Sequence, residues 1–417
     1  MHFDVARAFD DVKSTLEPVL DIAFERVDDA RVPAWCERRN WAKFLLNLNE
    51  AELERCEAEG LAEVAPALRD APRDLLELAT RVRESTRLPA LEVNGVHRSR
   101  DEYRGVSARK REQLARLLGA IAVPAARATR IVDVGAGSGH FTRLAAAEFE
   151  RSALGLERNP ARVASAQRRA DATRNTARFR PEFAVIDAGR EPLALRAGDL
   201  AIGLHACGEL GDTLVRAVID SGAELALVSC CLQKIGSAER APLSSRGVAL
   251  PRAALGLSNL TSRAIGVEAG IRLTLQGRQA RYALRQLLST RGLEIPPGAE
   301  MRGINRRRAL AGLAGIAERA CALRGLQAPT IAEISQHERD AQRDFSRQRR
   351  LSLPRNMLAR AMELAVVFDR ALALCEAGRA VRVVTLFERA VTPRNVALFA
   401  VAPGDAASAS AEPRAGT

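Results

Sequence analysis

The chain has 417 residues, 47% of them hydrophobic and 27% charged, the composition of a globular protein long enough for two or three domains. No apolar run approaches the roughly 18 to 20 residues of a membrane span, and seven irregularly spaced cysteines make no disulfide framework, so both of those classes are excluded. Lys and Arg number 63 against 51 Asp and Glu; the net charge of +12 suits a nucleic-acid partner, although its dominance by arginine in an alanine-rich chain also fits a GC-rich genome. The unpaired thiols point to a cytoplasmic protein, as does the lack of a basic-then-apolar leader after Met1-His2-Phe3-Asp4.

Taken in chain order, residues 4–90 read as helices. Ile22, Phe24, Trp35, Trp41, Phe44 and Leu45 recur among charges between Asp21 and Leu48, and both tryptophans read as core. Asn49-Glu50-Ala51-Glu52 is a helix start, and Asp74–Val82 repeats apolar residues at helical spacing. After an Asn94-Gly95 loop, Ser107 caps a further helix. The basic cluster from Arg98 to Arg111, with Arg109 and Lys110, either tracks a phosphate backbone or forms a solvated helix face.

Strands are predicted at 130–134, 153–157, 183–186, 199–204 and 225–230, with helical or loop connections between them. That alternation is the mark of a doubly wound parallel sheet. Long helical patterns follow at 277–290, 305–324, 330–348 and 355–377. Two strands, 380–387 and 395–401, close the chain around Thr392-Pro393, and the small polar tail from Gly404 reads as disordered.

The first strand runs Arg130-Ile131-Val132-Asp133-Val134 into Gly135-Ala136-Gly137-Ser138-Gly139-His140. Glycines at alternate positions let the backbone turn tightly and approach a ligand closely. A strand–loop–helix context aims the first helical N–H groups at that ligand. A dinucleotide fingerprint needs glycine at the sixth loop position, where His140 stands, so NAD is disfavoured. The next strand ends at Glu157, 22 residues after Gly135, where a carboxylate can accept the ribose hydroxyls of an adenosine cofactor. The third ends at Asp187. A lone acid in such a place reads as a helix cap; acids at three successive strand ends, Asp133, Glu157 and Asp187, read as a cofactor site.

The loop Asp133-x-Gly135-x-Gly137-x-Gly139 resembles motif I of the class I S-adenosylmethionine (SAM) methyltransferases. The fourth strand ends in His205-Ala206-Cys207-Gly208-Glu209-Leu210 and the fifth in Cys230-Cys231. Those motifs, with Val106-Ser107-Ala108-Arg109-Lys110 and Thr392-Pro393-Arg394-Asn395, resemble methyltransferase-like protein 25 and its bacterial counterparts, whose domain is shared with a group of tRNA 2′-O-methyltransferases. The resemblance covers roughly residues 103–402. Two departures narrow what it implies. Leu232-Gln233 replace the histidines that follow the cysteine pair in the tRNA enzymes, and the Asn/Asp-Pro-Pro-aromatic motif of many amino-directed enzymes is displaced by His205–Gly208.

The resemblance implies a seven-stranded class I (Rossmann-like) α/β sheet, with residues 1–100 as an N-terminal helical domain and 101–235 as the SAM-binding core. A helical insertion (236–377) between strands five and six, the last two strands (378–403) and the tail (404–417) complete it. SAM is the implied cofactor, held by Asp133, Gly135, Ala136, Gly137, Gly139, Glu157, Arg158, Asp187, Ala188 and His205. Three roles compete for the histidine and cysteines. His205 is a general base or orienting donor; His205, Cys207, Cys230 and Cys231 bind zinc; or the cysteines pack beneath the cofactor while His205 fixes a loop. Packing is favoured for the cysteines, catalysis and structure are balanced for His205, and no metal is expected. RNA is the leading acceptor class, a protein side chain the second, and a SAM-binding module without turnover the reading from another class.

Overall fold

The computed structural model describes residues 3–96, 99, 102–172, 180–262 and 268–403. These fall into two compact units: Met1–Pro18, Glu84–Ser262 and Leu358–Thr417 form one, Val19–Arg83 and Arg263–Met357 the other. The helical segments expected at 1–100 and 236–377 are thus each shared between the units. The tail from Gly404, and Arg98 and Arg100 of the basic cluster, lie outside the described residues.

The first unit is built on a mixed sheet. Strands β1 (Arg130–Val134), β2 (Ser152–Glu157), β3 (Glu182–Val185), β4 (Asp199–Ala206) and β5 (Glu224–Ser229) pair in parallel. Two short strands unforeseen in the sequence, β6 (Glu239–Arg240) and β7 (Leu250–Pro251), form a separate antiparallel pair. Strands β8 (Ala380–Thr385) and β9 (Val396–Val401) complete a seven-stranded sheet of order β3-β2-β1-β4-β5-β9-β8. Only β9 runs against its neighbours, β5 on one side and β8 on the other. The central strands are buried along nearly their whole length and read Val/Leu/Ala-rich for that reason, while β3 at the edge leaves Val185 half exposed. The strand order reverses between β1 and β4, and such a switch opens a crevice at the carboxyl ends of the strands.

The helix Ala108–Ala120 turns Leu114, Leu117 and Leu118 onto Phe141 and Leu144 of the helix His140–Phe149 and onto Ile131, Leu200 and Ile202 of the sheet. Ser107 does cap it, accepting the Lys110 N–H at 3.4 Å.

In the second unit Trp35 and Trp41 are buried edge-to-face with ring centroids 6.3 Å apart, and the Trp41 indole donates to Asp74 at 3.0 Å. The helices Glu268–Thr290 and Ile331–Leu351 enclose a cluster that includes Leu284, Leu287, Leu288 and Phe345. Between Asp21 and Leu48 the helices are Leu20–Phe24, Ala34–Arg38 and Ala42–Asn47, with Pro33 at the N-cap of the second. The stretch at 305–324 divides at Gly312, whose φ is +81°, into a 3-10 turn and the helix Ala314–Ala322.

Beside the sheet lies a buried ionic network. Arg370, on the helix Ala359–Glu376, is wholly buried and donates to Asp212 at 2.8 Å, to Ser229 Oγ at 2.7 Å and to the Gly208 carbonyl at 2.8 Å. Arg240 holds the other face of Asp212 at 2.9 Å and reaches Asp369 at 2.8 Å. Asp369 in turn accepts the Leu243 and Ser244 N–H groups at 2.9 and 3.0 Å. Burial pushes the Asp212 carboxyl up, but Arg370 and Arg240 outweigh it and hold it below its ordinary range. Gly211 is glycine because a Cβ there would stand 2.8 Å from the Arg370 guanidinium. Asp212→Leu leaves Arg370 buried without its carboxylate and should cost about 3 to 5 kcal/mol in urea unfolding, whereas Asp212→Leu with Arg370→Met, which removes both charges, should recover part of that loss.

Candidate functional site

The glycine loop leaves β1 at its carboxyl end. Gly139 has φ +70°, and a Cβ there would lie 2.5 Å from the Phe183 ring of β3, so only glycine lets the loop close against that ring. Gly137 has φ +59° and faces open space: an added Cβ would meet nothing nearer than the Gly135 carbonyl at 3.9 Å. The Gly135 and Ala136 N–H groups donate to the Leu156 carbonyl at 2.8 and 3.0 Å, which ties the loop to β2. Beyond Gly139, which has no side chain to cap it, begins the helix His140–Phe149, and in its first turn the Thr142 N–H is taken by Asp133.

Glu157 sits at the end of β2 with its side chain 11% exposed. One carboxylate oxygen accepts the Gly137 N–H at 3.0 Å and the other the Asn159 N–H at 3.0 Å, so the acid stands against the glycine loop. Asp133 faces inward. It is buried, accepts the Thr142 hydroxyl at 2.6 Å, and burial pushes its carboxyl up to about 6, with Thr142 and Lys110 opposing that rise. Thr142 is absent from the sequence-derived set; its signal is its place in the first turn after the loop, pointing back at the strand.

The Ile186 N–H donates to the Glu157 carbonyl at 3.2 Å, so Asp187 lies one residue past that pairing. Its carboxylate accepts the Gly189 N–H at 3.2 Å and lies 3.7 Å from Arg190. Arg158 is exposed and Ala188 half-buried.

Across the switch point, β4 runs to Ala206 rather than stopping at residue 204, and its register with β5 slips at His205. His205 has φ +69°, a left-handed backbone that costs a non-glycine residue about 1 to 3 kcal/mol. Its Nε2 meets Gln113 Oε1 at 3.1 Å, and its Nδ1 is buried with no hydrogen-bond partner among the described residues. Burial pushes the imidazole down to about 4, helped by Lys110, Arg394 and Arg109. It is therefore neutral at physiological pH. Gln113, whose partner lies 92 residues away in the chain, carried no local signal. The segment after β4 touches the glycine loop, with Leu210 Cδ2 3.4 Å from where a Cβ of Gly135 would stand.

The cysteines differ from expectation. Cys207 and Cys230 form a disulfide with their Cα atoms 5.2 Å apart. The reason is registry: Ala206 of β4 pairs with Ser229 of β5, and each cysteine is the next residue. Both sulfurs lie 3.2 Å from the His205 carbonyl oxygen. Cys231 completes a cluster whose sulfurs all lie within 4.8 Å, and its Sγ accepts from Arg394 Nη1 at 2.9 Å. The His205 ring is not among the atoms of that cluster.

Residues 109–238 match the family model described as a methyltransferase domain, a span that holds the glycine loop, Glu157, Asp187, His205 and the cysteine cluster. Among curated proteins none matches the chain. Similar solved structures include a Pyrococcus horikoshii OT3 protein (14% identity over 33% of this chain and 69% of that one, TM-score 0.26). Others are the Synechocystis magnesium protoporphyrin IX methyltransferase with bound SAH (15%, 30% and 64%, TM-score 0.23) and a Mycobacterium tuberculosis cyclopropane synthase (12%, 74% and 88%, TM-score 0.23). Overlaps of that size carry no argument. By that match residues 109–238, with the glycine loop inside them, form a methyltransferase domain.

Proposed function

We propose that the chain methylates RNA, with the acceptor seated at the carboxyl edge of β4 and β5 and His205 as its proton acceptor. The reading rests on one observation above the rest: a neutral, buried imidazole with a bare Nδ1 stands across the strand-order switch from an open glycine loop. The net charge of +12 supports a polyanionic acceptor, and the His205-x-Cys207-Gly208 and Cys230-Cys231 motifs support kinship with methyltransferase-like protein 25. Among the described residues no helix is long and apolar enough to cross a membrane.

The loop fits the cofactor. Open space above Gly137, a helix start that follows the loop and a carboxylate at the tip of β2 are what an adenosine with a charged amino-acid arm requires. SAM supplies a methyl group already activated on a sulfonium, so the protein's task is alignment of the acceptor. Glu157 accepts the ribose hydroxyls, exchanging its hold on the Gly137 N–H. Asp187 stands at the adenine end. Asp133, engaged by Thr142, braces the loop from beneath. With Nε2–H donating to Gln113, the lone pair of His205 Nδ1 is free to take the proton of an attacking hydroxyl or amide.

Three outcomes are expected. SAM should raise the melting temperature of the wild type, while Gly137→Asn, in which asparagine tolerates the left-handed backbone but fills the open space, should stay folded and lose that shift. Glu157→Ala should weaken SAM binding in calorimetry by about 1.5 to 3 kcal/mol, the scale of hydrogen bonds to a charged group. Incubation with isotopically labelled SAM and cell extract should label the RNA fraction; label confined to protein or metabolites would overturn the acceptor class.

His205→Gln should keep SAM binding and lose about 100-fold or more in turnover. Because the imidazole titrates near 4 in the folded chain, the wild-type rate should be flat through neutrality and fall only in acid. The same shift sets a stability window. As pH falls from 6.5 toward about 4 the unfolded chain binds this proton first, so stability present above 6.5 is lost across that interval. His140 acts in the same direction and Asp133, with its raised carboxyl, in the opposite one, so the melting-temperature difference between wild type and His205→Gln isolates the His205 share.

A further inference from the structure

We propose that Arg109, Lys110 and Arg394 form a seat for an anionic group beside His205, and that its occupant is a phosphate of the acceptor. This deepens the methyltransferase reading above and rests on it. Thr392 joins two of the cations: its Oγ1 accepts Arg109 Nη2 at 3.2 Å and the Arg394 N–H at 3.3 Å. Arg394 is further fixed by Cys231 Sγ at 2.9 Å and Asn259 Oδ1 at 3.4 Å. Arg109 and Lys110 open the helix Ala108–Ala120, four and three residues before Gln113, the residue that holds His205. All three cations act on the His205 ring.

The three cations, gathered about Thr392 and His205, share the absence of a carboxylate partner. Arg370, Arg240 and Arg130 each face one (Asp212, Asp212 with Asp369, and Asp199 at 2.6 Å), while Arg355 and Arg379 are served by the backbone carbonyls of Ala23 and Ala223. Desolvated charge is ordinarily paired or hydrogen-bonded in one of these ways. Arg109 and Arg394 bond only neutral groups, and Lys110 Nζ has no hydrogen bond or ion pair among the described residues although burial lowers its affinity for the proton. The one acid acting on Lys110 is Asp133, already engaged by Thr142. Such positive charge is satisfied by an incoming anion. The acceptor's phosphate and the cofactor's carboxylate share the required chemistry, and the site beside His205, on the acceptor side of the proposed reaction, favours the phosphate.

The test uses the full chain and two probes, a short mixed-sequence RNA oligonucleotide and SAM, with decarboxylated SAM as a third. Arg109→Gln, Lys110→Met and Arg394→Met are compared with Arg7→Met, a remote exposed control. Melting curves establish folding, and Arg109→Gln, exposed and bonded only to Thr392, keeps the test alive if either other variant fails to fold. Each seat variant should weaken RNA binding and lower the slope of log affinity against log salt by about 0.7, the release of one phosphate contact, while leaving SAM affinity unchanged. Loss of SAM affinity without loss of decarboxylated SAM affinity would keep an anion seat but overturn its assignment to the acceptor. An equal effect in Arg7→Met, or none in any seat variant, would overturn the seat altogether. Failure of the wild type to bind SAM at all would instead overturn the methyltransferase reading on which the seat rests.

Discussion

The wholly buried guanidinium of Arg370 is the constraint around which the sheet unit is arranged. Its three donor groups reach the helix after β4, the end of β5 and the carbonyl of Gly208, so one side chain sets the spacing of the two strand ends that present His205 and the cysteines. A buried charge is favourable only when its partners are complete, and here Asp212, Ser229 and a backbone carbonyl supply them. Arg240 and Asp369 extend the arrangement to the segment around β6. The helix Ala359–Glu376, reached only after the long helical stretch that follows β5, is in this sense part of the site's foundation.

Two kinds of order meet at the carboxyl edge of the sheet. On the β1 side the backbone dominates: left-handed glycines, strand-to-loop hydrogen bonds and an aromatic ring leave open space over Gly137. On the β4 side the ordering groups are side chains, with His205 turned out of a regular strand by its positive φ and held by Gln113 from another helix. Cofactor recognition calls for close approach of backbone. Proton handling calls for an aimed ring, and the structure divides the two accordingly.

How much of this was legible in the sequence follows the range of each interaction. The glycine loop, the acids at successive strand ends and the strands themselves are local patterns, and the strands at 130–134 and 199–204 fall where apolar runs place them. The cysteine bridge was missed: the motifs were plain, but the cysteines were read as packed thiols, and pairing depends on the β4–β5 register. Thr142, Gln113, Arg370 and Asp212 escaped notice because each gains its role from a distant partner, and arginine is too common in this chain to stand out. The helix expected at 305–324 was misjudged for another reason. Gly312 was visible, and apolar periodicity was given more weight than the breaker.

The position of β9 in the sheet bears on how the protein is made. Its residues pair along the open side of β5, a strand with no exposed residue after its first. Gly208 and Arg370 lie 162 positions apart. During synthesis from the N-terminus, β1 to β5 therefore emerge with an apolar edge unpaired and with Asp212 lacking the second of its two arginines, Arg370, and they stay so until the final tenth of the described chain has left the ribosome. Exposed edges of that kind invite pairing with other chains. The nascent protein thus has a long interval with that edge open, and truncation near its C-terminus would remove the strand that joins β5 to β8, far from any residue of the cofactor loop.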